Sequence, residues 1–514
     1  MKPNHPIQKI ALVSPNPRIP DVLNSAIGCE NALVLIGTVL RDHGYDVEVY
    51  VERIAPIEWE RIFAADLVGF SAVSCSVNRA AEMAAKIKEV RNVPTILGGP
   101  HASLVPDDAV QHFDYVVRDE GEATVIDLIH ALNRGMDLSK VKGISYFKNG
   151  KSYHNPAREY LPEFGTIADL SLIQEYNKLK PWKLFLQGKY HMHFVETSRG
   201  CPYPCKFCWR IGMKTVRHRS FIKVVEDLKT KAQYVRGIPN IVTVVDSYFG
   251  VDKRKTKELL KEIIASGFKG ELHVFARCEV AGDIELIRLM KKAGVKWIFM
   301  GIESINDENL EYFDKRQTVD DVTKALKIIR KHGIYVTASI ILGSDVDTQD
   351  AYIRAMEFCK KHDVTWIMFN ILTDLPYGQE RTIPQWRIFQ RNWDYYNGMF
   401  VNHFPKNIRP SELQQQLYDG YRSHHSLANI WRNLFRGKIS TTFYLIFRGL
   451  TMRPIYEEIR SYIPQLKKIE QGLYDENGYL IEDKLVSFRE PGIVPSPVPL
   501  HGEPVIEPLV GVTV

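Results

Sequence analysis

The sequence predicts an α/β protein in parts: an open, doubly wound parallel sheet first, a second run of βα alternation next, and a helical region last. Three observations carry this. At 514 residues the chain is too long for one ordinary core. Short apolar runs alternate with amphipathic helical patterns from Lys9 onward, and the alternation resumes at Met192. Past the second run the pattern turns aromatic-rich and helical, and from Pro491 prolines and glycines recur with few charges, so no core can form there.

In the first part, Lys9–Ser14 reads as a strand, 30–44 as a helix stopped by Gly44, 45–51 as a strand and 57–64 as a short helix. Strands follow at Asp66–Ser71, Pro94–Gly99 and Asp114–Val117, with a helix over Asn78–Val90. In such sheets ligands bind off the carboxyl ends of the strands. Those ends hold Ser71, Ser74 and Ser76, then Gly98, Gly99 and Pro100, then Glu120 and Gly121. Glycines let a bulky ligand approach the backbone, and serines can donate hydrogen bonds to it. No G-x-G-x-x-G run is present, so nicotinamide or flavin binding is not supported.

Residues 148–190 carry the breakers Gly150, Pro156, Pro162, Gly165 and Pro181 and read as a connector, with Trp182 to Phe185 able to pack beside a site. About six strands follow, at His193–Thr197, Ile241–Val245, Leu272–Phe275, Trp297–Met300, Tyr335–Ile341 and Thr365–Phe369, with helices at 221–235 and 253–266. Ser411 to His425 reads as a helix with Ser411 at its N-cap. Leu427–Leu450 mixes aromatic with basic residues. That segment can lie in a membrane interface, or pack on the protein with its arginines outward. The expected domains are 1–147, the connector 148–190, 191–385, 386–490 and a disordered tail, 491–514.

The hydrophobic share of 45% and charged share of 25% are those of a folded, soluble chain. A net charge of +6 is mild and gives no argument for nucleic acid, although an anionic substrate or membrane surface would be welcome. Of seven cysteines, Cys29, Cys75, Cys278 and Cys359 are scattered. With no signal peptide, a reducing cytoplasmic interior is expected. No run of 18 apolar residues would span a membrane.

The other three cysteines form Thr197-Ser-Arg-Gly-Cys-Pro-Tyr-Pro-Cys-Lys-Phe-Cys-Trp209, spaced C-x3-C-x2-C. Cys201, Cys205 and Cys208 can hold three irons of a 4Fe–4S cluster and leave the fourth open. A zinc knuckle would want a second pair, which is missing. The spacing, with Phe207 before the third cysteine, resembles the cluster motif of the radical SAM superfamily. That resemblance implies a partial (β/α)6 barrel and an open iron that binds S-adenosylmethionine, cleaved reductively to methionine and a deoxyadenosyl radical. Gly301-Ile-Glu-Ser304 and Asp246-Ser-Tyr-Phe249 resemble cofactor-binding segments of the same family, although the second acid of the latter is a serine here. They point to Asp246 and Glu303, and later strand ends to Arg277 and Ser339, as cofactor contacts. For Glu303 an ordinary loop ion pair is the plainer role. Cys278 reads as a buried thiol. Lys214 to Arg219, with Arg210 before it, could stabilise an anion or form a solvated edge.

Leu97-Gly-Gly-Pro-His101 and Asp114-Tyr-Val-Val-Arg-Asp-Glu-Gly-Glu122 resemble cobalamin-binding domains placed ahead of radical SAM cores. Pro15-Asn-Pro-Arg-Ile-Pro-Asp21 lacks the D-x-H-x-x-G histidine, so no lower-face histidine ligand is expected from that loop. His101 reads as a hydrogen-bonding loop residue. Gly343-Ser-Asp-Val-Asp-Thr348 fits the family, whereas Leu375-Pro-Tyr-Gly-Gln379 replaces its Pro-Gly-Thr turn. Together the resemblances imply a cobalamin-dependent radical SAM methyltransferase acting on an unactivated carbon of a small-molecule or lipid-like substrate. An electron donor such as a flavodoxin or ferredoxin would serve it. The alternatives are cyclisation or ring rearrangement with the same cofactors, and a non-enzymatic cobalamin or iron–sulfur sensor.

Overall fold

The computed structural model describes residues 5–21, 26–27, 30–186, 189–208, 214–234, 241–373, 375, 383–435 and 439–485. Its first sheet grows from β-branched runs set between breakers. In chain order these elements are β1 (Lys9–Ser14), α1 (Asn31–Asp42), β2 (Asp46–Val51), α2 (Trp59–Phe63), β3 (Leu67–Ser71), α3 (Ser74–Val90), β4 (Thr95–Gly98), α4 (Pro100–Leu104), β5 (Tyr115–Val117) and α5 (Glu122–Arg134). The strands lie in the order β2-β1-β3-β4-β5, all parallel. Strand order reverses between β1 and β3, which opens a crevice at their carboxyl ends. Ile10 and Leu12 of β1 are buried in one core with Val34 and Leu40 of α1 and Leu128 and Ile129 of α5.

Two local expectations change. The helix expected from Asn78 begins at Ser74, so Ser74 and Ser76 lie in its first turn. The sheet is not wholly parallel either. β6 (Ile144–Lys148) and β7 (Lys151–His154) extend it beyond β5 as an antiparallel hairpin, which takes in the start of the expected connector. Asn149 and Gly150 turn it, both with positive φ (51° and 75°), as a type I′ turn demands. Trp182 is exposed rather than packed beside a site.

The second sheet has the six strands expected, β8 (His193–Val195), β9 (Ile241–Val244), β10 (Glu271–Ala276), β11 (Val295–Glu303), β12 (Tyr335–Leu342) and β13 (Trp366–Ile371), hydrogen-bonded in chain order. From β8 to β11 the pairing is parallel. The intervening helices include α6 (Phe221–Tyr234), α7 (Lys253–Ala265), α8 (Ile284–Lys292), α9 (Asp307–Tyr312), α10 (Val319–Lys331) and α11 (Ala351–Lys361). The chain divides into two compact units, one of Met1–Tyr203, Arg210–Gly301 and Asp320–Thr337, the other of Pro204–Trp209, Ile302–Val319 and Ala338–Val514.

Among the described residues four helices follow: α12 (Pro410–His424), α13 (Leu427–Phe435), α14 (Ile439–Thr451) and α15 (Arg453–Ile469). Ser411 is not an N-cap. The helix starts at Pro410, and the Ser411 amide and hydroxyl both donate to the buried Glu470 carboxylate of the residue following α15 (2.9 and 2.5 Å). The segment 427–450 is two helices, and Arg448 points inward, against the expectation of outward arginines. The tail 491–514, Arg210 and most of Leu375–Gln379 lie outside the described residues.

Candidate active site

The loop that carries the three cysteines leaves β8 through Thr197 and Ser198. Asp246, just past the carboxyl end of β9, sits beneath that exit and is 2% exposed. Its carboxylate accepts from the Thr197 amide (2.7 Å), the Ser198 amide (3.1 Å), the Ser198 hydroxyl (2.7 Å) and the Thr197 hydroxyl. Burial pushes the Asp246 pKa up while these donors pull it down, and burial prevails. Ser198–Arg199 pairs antiparallel with Arg217–His218, which closes the base of the loop.

Within the loop Cys205 is buried and Cys201 and Cys208 are half-buried. The Cys208 amide donates to the Cys205 carbonyl (3.0 Å), and the Lys206 amide to the Phe313 carbonyl (3.0 Å). Tyr203, between the first two cysteines, lies under the Arg277 guanidinium at 3.8 Å from its ring centroid. Arg277 is also paired with Glu279 (2.7 Å). Cys278 is buried, as expected, and its thiol lies 3.7 Å from Glu279. Among the described residues, no set of three or more His, Cys, Asp or Glu has the grouping of a single-ion site. A cubane would instead take the three thiolates on three separate irons, and three thiols on one short loop with no fourth suit that group.

Phe207 meets Phe313 edge-on (5.2 Å), and the Lys315 ammonium lies 5.5 Å from its ring centroid. Lys315 also donates to Glu303 at 2.9 Å, with both side chains buried. Glu303 ends β11 with φ of +64°, a conformation uncommon for a residue with a Cβ and concentrated at functional sites. Ser339 of β12 is buried and accepts from Asn370 (3.2 Å).

Around the first sheet, Ser71 is half-buried at the end of β3, and Val73, at the N-cap of α3, is exposed. Ser74 and Ser76 are buried. Gly99 has φ of +94°, and a Cβ there would lie 2.9 Å from the Ala72 carbonyl, so the backbone itself requires this glycine. Gly98 has no such neighbour, its nearest contact being 3.8 Å away, which leaves room for a ligand. Pro100 begins α4. His101 is wholly buried and bonds Ser74 (3.2 Å) and Asp108 (3.1 Å), as a hydrogen-bonding residue should. A crevice with a serine hydroxyl and an open glycine fits a large cofactor.

Glu120 engages protein partners. It pairs with Arg217 and with Arg199 (3.2 Å), while Arg199 also takes Glu122 (2.8 Å) and Glu196 (2.8 Å). Gly121 caps α5 beneath Ile36. Arg199, two places before Cys201, therefore joins the acidic turn after β5 to the start of the cysteine loop. Where it is described, the basic run after the cysteines divides: Lys214 is exposed, as a solvated edge would be, whereas the two arginines are held by acids. Arg217 is held by Glu120, and Arg219, 5% exposed, by Asp227 (2.6 Å).

Two families match the sequence: residues 195–359 match the Radical SAM superfamily and residues 27–129 the B12 binding domain. The chain thus places a B12 binding domain ahead of a Radical SAM superfamily domain. It is similar to the "uncharacterized methyltransferase PH0819" of Pyrococcus horikoshii, 29% identical over 71% of this chain and 79% of that one. The anaerobic magnesium-protoporphyrin IX monomethyl ester cyclase of Cereibacter sphaeroides is 25% identical over 77% of this chain and 66% of its own. The hopanoid C-3 methylase of Methylococcus capsulatus is 29% identical over 50% of this chain, which spans 48% of that enzyme. Among solved structures, TsrM from Kitasatospora setae, with cobalamin and 4Fe–4S cluster bound, has the same fold. Its TM-score is 0.62 at 21% identity, covering 72% of this chain and 76% of TsrM.

Around the cysteine loop, sequence reasoning missed Arg199, Tyr203 and Lys315. Arg199 and Tyr203 had a visible signal, since both stand in the cysteine run itself. Lys315 had none, because it reaches Glu303 across a turn and a helix.

Proposed function

We propose that this enzyme methylates an unactivated carbon of a small-molecule or lipid-like substrate. When bound, the cluster supplies the electron that cleaves S-adenosylmethionine and cobalamin carries the methyl group. Cys201, Cys205 and Cys208 would hold the cluster, with Phe207 beside it. Ser71, Ser74, Ser76, Gly98, Gly99 and Pro100 would line the cobalamin crevice, without a histidine beneath the cobalt. Ser339 would face S-adenosylmethionine.

Asp246, Arg277, Glu303, Glu120 and Gly121 take positioning roles in this reading. Asp246 fixes the exit from β8, Arg277 clamps Tyr203, Glu303 holds Lys315 near Phe207, and the Glu120–Gly121 turn ties down Arg199. Carbon–hydrogen abstraction asks for no general base, so side chains that orient and exclude water are what the chemistry needs. Residues 1–147 would be the cobalamin domain and 191–385 the radical core, joined by 148–190. Residues 386–490 would form a helical domain, with 491–514 a tail. An electron donor such as a flavodoxin or ferredoxin, and a peripheral membrane contact through 427–450, complete the reading. Among the described residues no helix is long and apolar enough to cross a membrane.

The observation that carries the proposal is the single salt-bridge network of Arg199. It links the turn after β5 to the cysteine loop, so two cofactors would sit on one continuous scaffold. The test is anaerobic purification and iron–sulfur reconstitution, followed by dithionite reduction with S-adenosylmethionine. Expected are stoichiometric cobalamin, a 4Fe–4S signature and 5′-deoxyadenosine, each of the last two lost when Cys201, Cys205 or Cys208 becomes alanine. Full cluster and cleavage in those variants would refute the assignment. A second reading, ring cyclisation, draws on the likeness to the cyclase. Methyl-labelled S-adenosylmethionine separates them, since only methylation carries the label into product.

A further inference from the structure

We infer that this chain docks on the anionic surface of a lipid bilayer through the outer faces of α13 and α14. The inference rests on the membrane-contact part of the reading above and not on its chemistry. A surface helix ordinarily buries its apolar stripe and turns its polar side to water. α14 buries one apolar residue, Leu445, and three polar ones beside it. Thr441, Thr442 and Arg448 are buried, the last 5% exposed and 5.7 Å from the ring centroid of Trp366. Ile439, Phe443, Ile446 and Leu450, spaced i, i+4, i+7 and i+11 on one face, are all exposed, Ile439 by 72%.

α13 has no buried residue at all. Leu427, Trp431, Leu434 and Phe435, at i, i+4, i+7 and i+8, form a second exposed stripe, reaching 83% at Phe435. Trp431 and Phe435 stack at 5.7 Å. Single exposed apolar residues need no explanation, but two whole helix faces do.

Charge selects the occupant. No Asp or Glu stands between Asp419 and Glu457, whereas Arg422, Arg432, Arg436, Lys438, Arg448 and Arg453 do. Arg422, Arg432 and Arg453 are exposed. A second copy of the chain would bring like charges together across such a face. Lipid phosphates would pair with the guanidinium groups while Trp431 and the other apolar side chains enter the acyl boundary. Helices of 9 and 13 residues are about 14 and 20 Å long, too short to span a bilayer core of about 30 Å, so the contact is interfacial.

The test is flotation of the full chain with vesicles of phosphatidylglycerol and phosphatidylcholine, or of phosphatidylcholine alone. Expected is binding to the anionic vesicles that weakens with salt. It should fall at least about tenfold in the triple variant Trp431→Glu, Phe435→Glu, Phe443→Glu. Brominated phosphatidylglycerol should quench tryptophan emission, and Trp431→Phe, which removes no apolar face, should lose that quenching. The proposal is overturned if the unaltered chain stays unbound, or if the triple variant floats equally well. It is also overturned if sedimentation shows a dimer that the triple variant dissolves. Deoxyadenosine release in detergent-free buffer reads the catalytic proposal separately, so either can fail alone.

Discussion

Replacing Arg199 with methionine tests whether the turn after β5 and the cysteine loop are held together by charge. Arg199 is 11% exposed at its side chain, and so is Glu120, with Glu122 at 14% and Glu196 at 22%. Burial alone would lower the Arg199 pKa, but Glu196, Glu122 and Glu120 more than reverse this and raise it above the ordinary arginine value. Arg199→Met leaves three carboxylates with Arg217, which pairs with Glu120. Breaking one side of a buried ion pair costs about 3–5 kcal/mol. Losing the stacking of Arg199 on Phe164 (4.5 Å) adds up to about 1 kcal/mol. With a urea dependence of about 3 kcal/mol per molar, the midpoint should fall by about 1–2 M. The assay is urea unfolding of the full chain followed by fluorescence and circular dichroism together, since a chain of this size need not unfold in one step. Glu122→Gln in the same background should recover part of the loss, because it removes a stranded charge. A midpoint shift under 0.3 M (an order-of-magnitude threshold), or strict additivity of the two changes, would refute the reasoning.

Three further outcomes are expected. Lys315→Met should destabilise by about 3–5 kcal/mol by stranding Glu303, and the double variant with Glu303→Gln should lose less than the single, which a double-mutant cycle in urea would show. Asp246→Ala should lower reconstituted iron several-fold, because the Thr197 and Ser198 amides lose their acceptor; Asp246→Asn keeps an acceptor oxygen and should retain most of it. Stability should fall as pH drops below about 6.5. Burial holds His193 and His424 down to about 3, and His403 and His425 to about 4, so the unfolded chain binds protons there that the folded chain refuses. Each would cost about 2 kcal/mol at pH 5. Asp347, pushed up to about 6 by burial, opposes them below pH 6 with about 1.4 kcal/mol at pH 5. Thermal melts at pH 7.5 and 5.5 check the sign, and a flat or rising melting temperature would count against it.

The parallel strands were legible because they are buried on both faces and so read as unbroken apolar runs, as in Leu67-Val-Gly-Phe70. The cluster loop was legible because its chemistry is local, three thiols within eight residues. The β6–β7 hairpin was missed despite its Asn149-Gly150 turn, since Gly150 was read as a breaker and the Asn-Gly pair as nothing more. Ion-pair partners were not legible. Glu120 meets Arg217 across 97 positions, and nothing in either neighbourhood names the other. Likewise Glu303 pairs with Lys315, a partner that its own motif does not name.

Hydrophobic periodicity does not tell which stripe of α14 the protein keeps, because Leu445 is buried whereas Ile439, Phe443, Ile446 and Leu450 are exposed. The usual rule assumes that the only apolar surroundings available are the protein's own interior. Here the interior side offers the Trp366 ring to the Arg448 guanidinium, so a cation can be sheltered inward. The apolar face is then left to an environment outside the chain. This arrangement exposes Ile439, Phe443, Ile446 and Leu450 while desolvating an arginine, a combination that water alone does not favour. An apolar, anionic surface would favour it, and the run free of acidic residues between Asp419 and Glu457 is a charge pattern that suits such a surface.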